Sequence, residues 1–169
     1  MDMGPVEKGL SSPALVLLRV RERKVGNMEM IQKSIDINGS VDRVFAYIDD
    51  PATGTQWLPS MMEVRNISGS GIGQHQEWTY KMAGFALDGE STTIAHVPNE
   101  RLVVRGKGGV DSLWTFTFEP YEGGTRLGLT VEYTVPVPVL GKLAEKLVVR
   151  RNEREIDLAV QNIKDHCEG

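Results

Sequence analysis

Three histidines, one cysteine and scattered carboxylates are the groups in this 169-residue chain that could carry nucleophilic, acid–base or metal chemistry. His75, His96 and His166 lie on different predicted elements, with no thiol or carboxylate at metal-ligating spacing, so no metal site is expected. His166 in the last turn of a helix is explained by the helix dipole, and His75 and His96 read as surface or rim histidines. Cys167 has no second cysteine to pair with and reads as a spare surface thiol. No G-x-S-x-G elbow is present, and the glycine-rich SGSGIG (68–73) has G-x-G-x-G spacing and leads into a strand. It therefore lacks the helix N-terminus that would hold a phosphate, and no cofactor is expected. Acid–base work needs a titratable group in a dry pocket; Asp88, Glu90, Arg105 and Glu155 are the candidates. Strand alternation puts Asp88 and Glu90 with Thr92, opposite Leu87, Ser91 and Thr93, and therefore outward. No catalytic residue is assigned.

Composition narrows the classes further. Hydrophobic residues make up 40% and charged residues 25%, with a net charge of −4 and a pI near 5.4. That is a globular composition, and its acidity excludes nucleic acid as the main partner. No apolar run approaches the ~20 residues that span a bilayer, and the single cysteine suits a reducing, cytoplasmic compartment. Residues 1–27 read as an N-terminal extension, disordered or adding an edge strand. Their apolar PALVLLRV precedes its basic residues, the reverse of a secretory signal. Residues 28–169 read as one domain.

Several elements must position any site. The stretch 139–167 lacks proline, is rich in helix formers, and predicts a long amphipathic helix. Leu140, Leu143, Ala144 and Leu147 share one face of it, and Ile156, Ala159, Val160 and Ile163 a rotated one. Between them runs RRNERE, a polar waist that reads as a solvated segment whose long side chains cover apolar surface, or else as one where Asn152, with Val148 and Ile156 on its side, looks inward. A helix with apolar ends and a polar waist can wall a ligand cavity.

Ahead of it the pattern predicts a strand at 29–37 and a helix at 41–48 capped by Ser40. A short helix at 52–57 follows, then strands at 62–67, 74–82, 85–97, 101–106, 110–119 and 125–135. Short turns between them predict antiparallel hairpins. Leu127, Leu129, Val131, Tyr133 and Val135 share one face of the last strand; Trp114, Phe116 and Phe118, and Trp78, Tyr80 and Met82, repeat the pattern. An α+β fold follows, its sheet curled around the only element long enough to cover it.

SVDRVFAYIDDPATGTQWLP, VPNERLVVRGKGG, LWTFTFEPYEGGTRLGLTVEYTVP and the final helix resemble the polyketide cyclase/dehydrase-like branch of the START/Bet v 1 (SRPBCC) superfamily. The resemblance begins at about Met28. It implies a helix-grip fold, with a seven-stranded antiparallel sheet gripping the C-terminal helix over a cavity, and two short helices after the first strand. Trp57, Trp78, Tyr80, Met82, Trp114, Phe116, Tyr133, Leu147 and Asn152 are the candidate cavity lining, with plain core packing the alternative for each. The expected function is binding or carrying a hydrophobic small molecule, such as a lipid, polyketide or quinone. The alternatives are a cyclase or dehydratase acting on a polyketide-like chain, and a protein-interaction domain, which would need an exposed apolar patch. Each motif of the resemblance is a scaffold feature and assigns no catalytic residue.

Overall fold

The computed structural model describes residues 28–136 and 142–169, with side chains from 146 onward in the second segment. Strand β1 (Met28–Ile37) is followed by helix α1 (Val41–Asp49), a 3-10 turn (Pro51–Thr53) and the one-turn helix α2 (Gly54–Trp57). Six more strands follow: β2 (Met61–Ser68), β3 (His75–Met82), β4 (Phe85–Val97), β5 (Arg101–Gly108), β6 (Ser112–Tyr121) and β7 (Gly124–Thr134). Helix α3 (Lys142–Glu168) closes the chain. The expected α+β architecture, a seven-stranded antiparallel sheet with a long C-terminal helix, is what the chain adopts.

Strands β2 to β7 pair in sequence, and β1 joins β7, so the order is β1-β7-β6-β5-β4-β3-β2. β1 and β2 are therefore opposite edges, and α1, the 3-10 turn and α2 carry the chain from one to the other. Asp50 caps the 3-10 turn by accepting from the Ala52 N–H at 3.0 Å, and Pro51 supplies its first residue. Register shifts in β2 and between β4 and β5 bend the sheet. The concave face carries the core, including Ile31, Leu102, Phe116, Phe118, Leu127, Leu129 and Val131. Ile156, Ala159, Val160 and Ile163 of α3 are all buried against it, as their spacing predicts.

Several expectations change. Leu147 is 66% exposed and faces away from the sheet, so it leaves the candidate lining. Its neighbour Val148, 2% exposed, is the inward residue, because the buried face of α3 runs through Val148, Asn152 and Ile156 at i, i+4, i+8. The stripe proposed with Leu147 rests otherwise on Leu140, Leu143 and Ala144, which lie outside the described side chains, as does the extension 1–27. Cys167 is buried at 1% exposure rather than at the surface, and burial pushes its thiol pKa up.

Candidate ligand-binding site

Between the concave face, α1–α2 and the middle of α3 lies a cavity of about 130 Å³. A dry apolar cavity of ~150 Å³ takes one aromatic ring, which sets the scale. Its space begins with small residues. Ser91 on β4 pairs with Gly106 on β5, and Gly106 pairs with Ser112 on β6. A side chain at Gly106 would meet the Ser112 hydroxyl, so glycine keeps this row low. The row continues to Gln76 on β3 at one end and Tyr133 on β7 at the other. The next row, Thr93–Val104–Trp114–Val131, is bulky and forms a wall.

Aromatic side chains make most of the remaining lining. Trp57 stands edge-on to Trp114 and Phe116, each with ring centres 6.0 Å away. Trp78 lies across Gly89, its partner on β4; any β-carbon there would collide with the indole. The Trp78 indole N–H donates to Ser91 Oγ at 2.9 Å, and that of Trp114 to Ser112 Oγ at 3.2 Å. Both hydroxyl protons remain for another acceptor. Asn152, 9% exposed, closes the site from α3 with Ile156 beside it.

Three buried polar atoms have no partner among the described residues: Trp57 Nε1, Gln76 Oε1 and Tyr133 Oη. All three belong to residues that line this one cavity. Burial holds the Tyr133 phenol above the ordinary range; the Asn152 amide beside it offsets this only in part and does not reach hydrogen-bond geometry. An unpaired buried donor or acceptor costs roughly 1–3 kcal/mol.

Tyr80 is the lining residue tied most firmly to the helix. Its hydroxyl donates to Glu155 Oε2 at 2.6 Å, while Glu155 Oε1 accepts from the Ser60 N–H at 2.7 Å. Burial, and then the adjacent Glu155 charge, hold the Tyr80 phenol protonated far above its usual range. At the other end Asp49 lines the cavity, with both carboxylate oxygens 3.0 Å from His96 Nε2. His96 thus has an orienting partner that its sequence neighbourhood does not reveal, 47 residues away.

The structure brings Trp57, Trp78, Tyr80, Met82, Trp114, Phe116, Tyr133 and Asn152 together around the cavity; Leu147 alone stays out. Gln76, Ser91 and Ser112 are lining residues that sequence reasoning passed over. Alternation sets Ser91 inward, but only the register shows it in a row with Gln76 and Ser112. Asp88 and Glu90 point outward, as expected. Among the described residues no group of His, Cys, Asp and Glu is arranged to hold a metal, and no helix is long and apolar enough to cross a membrane.

Residues 28–168 match the model of a family described as polyketide cyclase / dehydrase and lipid transport. The chain belongs to this family. Similar solved structures agree on the fold. A protein from Thermus thermophilus shares 18% identity with a TM-score of 0.69, over 81% of this chain and 95% of the other. The Zhui aromatase/cyclase from Streptomyces sp. R1128 shares 17% with a TM-score of 0.65, over 84% and 94%. Ara h 8.0201 shares 12% with a TM-score of 0.59, over 83% and 98%. No curated protein matches the sequence. The chain thus shares the helix-grip fold of these structures.

Proposed function

We propose that this protein binds a small, largely apolar molecule, with a ring near one end, in the cavity between sheet and helix α3. The observation that carries the reading is that Trp57 Nε1, Gln76 Oε1 and Tyr133 Oη, all buried and unpartnered, belong to residues that line one aromatic-rich space. A core designed only to pack would not leave three such atoms around a single cavity. A bound molecule that accepts from Trp57 and donates to Gln76 removes those penalties. A phenolic or hydroxy-carbonyl compound fits this description, and a plain hydrocarbon does not. Native mass spectrometry of the purified protein, followed by solvent extraction, tests the reading. A co-purifying or added compound of this class should bind below millimolar. Failure of every such compound to bind would leave the cavity as a packing defect.

A second reading has its own observation. Tyr80 lines the cavity with its phenol proton donated to Glu155, so its oxygen is left to accept from, and orient, an enol or hydroxyl of a bound chain. Conversion of a bound polyketide-like chain, abolished by Tyr80→Phe, would place the protein with cyclases or dehydratases instead of carriers.

A further inference from the structure

We propose that the Asp49 carboxylate, held by His96 at the α1 end of the cavity, receives a protonated amine of the bound molecule. The proposal rests on the cavity reading above and narrows the ligand to an arylalkylamine: a ring joined by a short apolar linker to an ammonium group.

The sign of the charge around the cavity is the first observation. Among the described residues that line it, the charged side chains are Asp49 and Asp50, and there is no lysine or arginine. Asp50 is exposed and accepts from the Ala52 N–H to cap the 3-10 turn. The Asp49 side chain is 28% exposed and belongs to the last residue of α1, a helix with no basic residue in its last turn. A carboxylate thus meets the negative end of a helix dipole, which costs stability and makes the spot favourable for a cation.

His96 fixes where that carboxylate points. Register sets His96 abreast of Leu102 on β5 and Phe116 on β6, both buried, so its ring lies on the concave face. Phe45 of α1 packs edge-on to it, with ring centres 5.3 Å apart. Its Nε2 lies 3.0 Å from both Asp49 oxygens and so donates its one proton to them. A carboxylate offers about four acceptor positions, and most remain for a second donor. Anchoring of the histidine accounts for this bond, but not for a carboxylate placed in an aromatic-lined cavity that no lysine or arginine enters.

That the cavity takes a ligand at all has separate support in Trp57 and Tyr133, which are 8% and 4% exposed and whose polar atoms have no partner. Gln76 Oε1 is a further unpartnered acceptor in the lining, and it too calls for a donor on the ligand. The reach is suitable. His96 and Phe116 stand two strands apart, about 10 Å at the usual spacing. A ring against Trp57 and Phe116 and an ammonium at Asp49 can then belong to one small molecule.

Three probes with one 4-hydroxyphenyl body separate the charge from the ring: tyramine, neutral 4-ethylphenol and 3-(4-hydroxyphenyl)propanoate. Titration calorimetry at neutral pH reads the binding. On the unmodified protein tyramine should bind about tenfold tighter than 4-ethylphenol, equivalent to ~1.4 kcal/mol. The propanoate should bind more weakly than 4-ethylphenol, since like charges repel. In Asp49→Asn, which keeps an acceptor for His96, the advantage of tyramine over 4-ethylphenol should disappear. Tyramine binding no tighter than 4-ethylphenol, or the propanoate binding tighter than it, overturns the amine proposal and leaves the cavity reading standing. A tyramine advantage that Asp49→Asn leaves intact overturns it too. If no probe binds, both readings fall. The charge series is measured on the unmodified protein, so the outcome does not depend on the variant's folding.

Discussion

Gln76 and Tyr133 stand at opposite ends of one cross-strand row, joined through Ser91, Gly106 and Ser112, and each ends in a buried polar atom without a partner. At the usual strand spacing of ~4.8 Å the row spans about 19 Å along the sheet. The neighbouring row through Thr93, Val104, Trp114 and Val131 is closed by bulky side chains. Polar ends, hydroxyl-bearing middle and a glycine at the centre make the first row the floor of a binding site.

Tyr133→Phe tests that relationship by driving stability and binding in opposite directions. Removing an unpartnered buried hydroxyl while keeping the ring should leave stability unchanged or raise it by about 1 kcal/mol. Affinity for a hydroxylated aromatic ligand should fall several-fold. Chemical denaturation and a binding titration on the same preparation check both. A loss of more than ~1 kcal/mol in stability would show that the hydroxyl is already satisfied in the folded protein.

Gly89→Ala should destabilise the fold by roughly 1–3 kcal/mol, the usual range for overpacking. Its new methyl group would occupy the place of the Trp78 ring and also approach the Lys107 carbonyl. The indole must then swing off Ser91 and into the cavity. Thermal denaturation and the change in tryptophan emission report the two effects. A variant of native stability and unchanged emission would mean that Trp78 does not lie on Gly89.

Trp114→Ala is expected to cost ~2 kcal/mol, below the 3–5 kcal/mol typical of a fully buried aromatic. Its ring borders the cavity and is only partly buried, so part of the ring faces empty space rather than neighbouring side chains. The same change enlarges the site, and a two-ring compound should gain affinity relative to a one-ring compound. A cost at or above ~4 kcal/mol would place the ring in solid core.

Tyr47, Tyr80 and Tyr133 make stability fall in alkali. Burial is the first cause in each, joined at Tyr80 by the Glu155 charge. Tyr47 is pushed up to about 12. In the unfolded chain these phenols lose their protons near pH ~10. Folded-state values above unfolded ones mean the contribution is whole below about pH 10 and is lost as pH rises through the folded values. Phenolate absorbance and circular dichroism, followed together, should show these three ionising only as the fold is lost. Ionisation of all three near the unfolded value in a folded protein would contradict their burial.

Much of the architecture was legible in the residues because it rests on local periods. Leu127 to Val135 alternate cleanly, and Ile156, Ala159, Val160 and Ile163 repeat at helical spacing, so faces and elements follow directly. Trp78, Tyr80, Met82, Trp114, Phe116 and Tyr133 of the cavity lining follow from the same alternation. What periodicity does not carry is register between strands. Ser91, Gly106 and Ser112 are unremarkable singly, and become a cavity floor only when hairpin lengths bring them abreast. The His96–Asp49 and Tyr80–Glu155 contacts join residues 47 and 75 apart, beyond any motif. Leu147 was misplaced because its apolar character was read without the rotation that Val148, Asn152 and Ile156 impose on the helix.

The most direct test of the cavity as a binding site is the affinity of the purified protein for 4-ethylphenol compared with ethylbenzene, by titration calorimetry. The two share a ring and an alkyl group, and differ in a hydroxyl that can pair with an unpartnered polar atom at one end of the site, Gln76 Oε1 or Tyr133 Oη. Sub-millimolar binding of 4-ethylphenol, about tenfold tighter than ethylbenzene, is the predicted result, in line with one or two net hydrogen bonds at ~1 kcal/mol each. Ethylbenzene binding as well as or better than the phenol, or no binding of either, would contradict it.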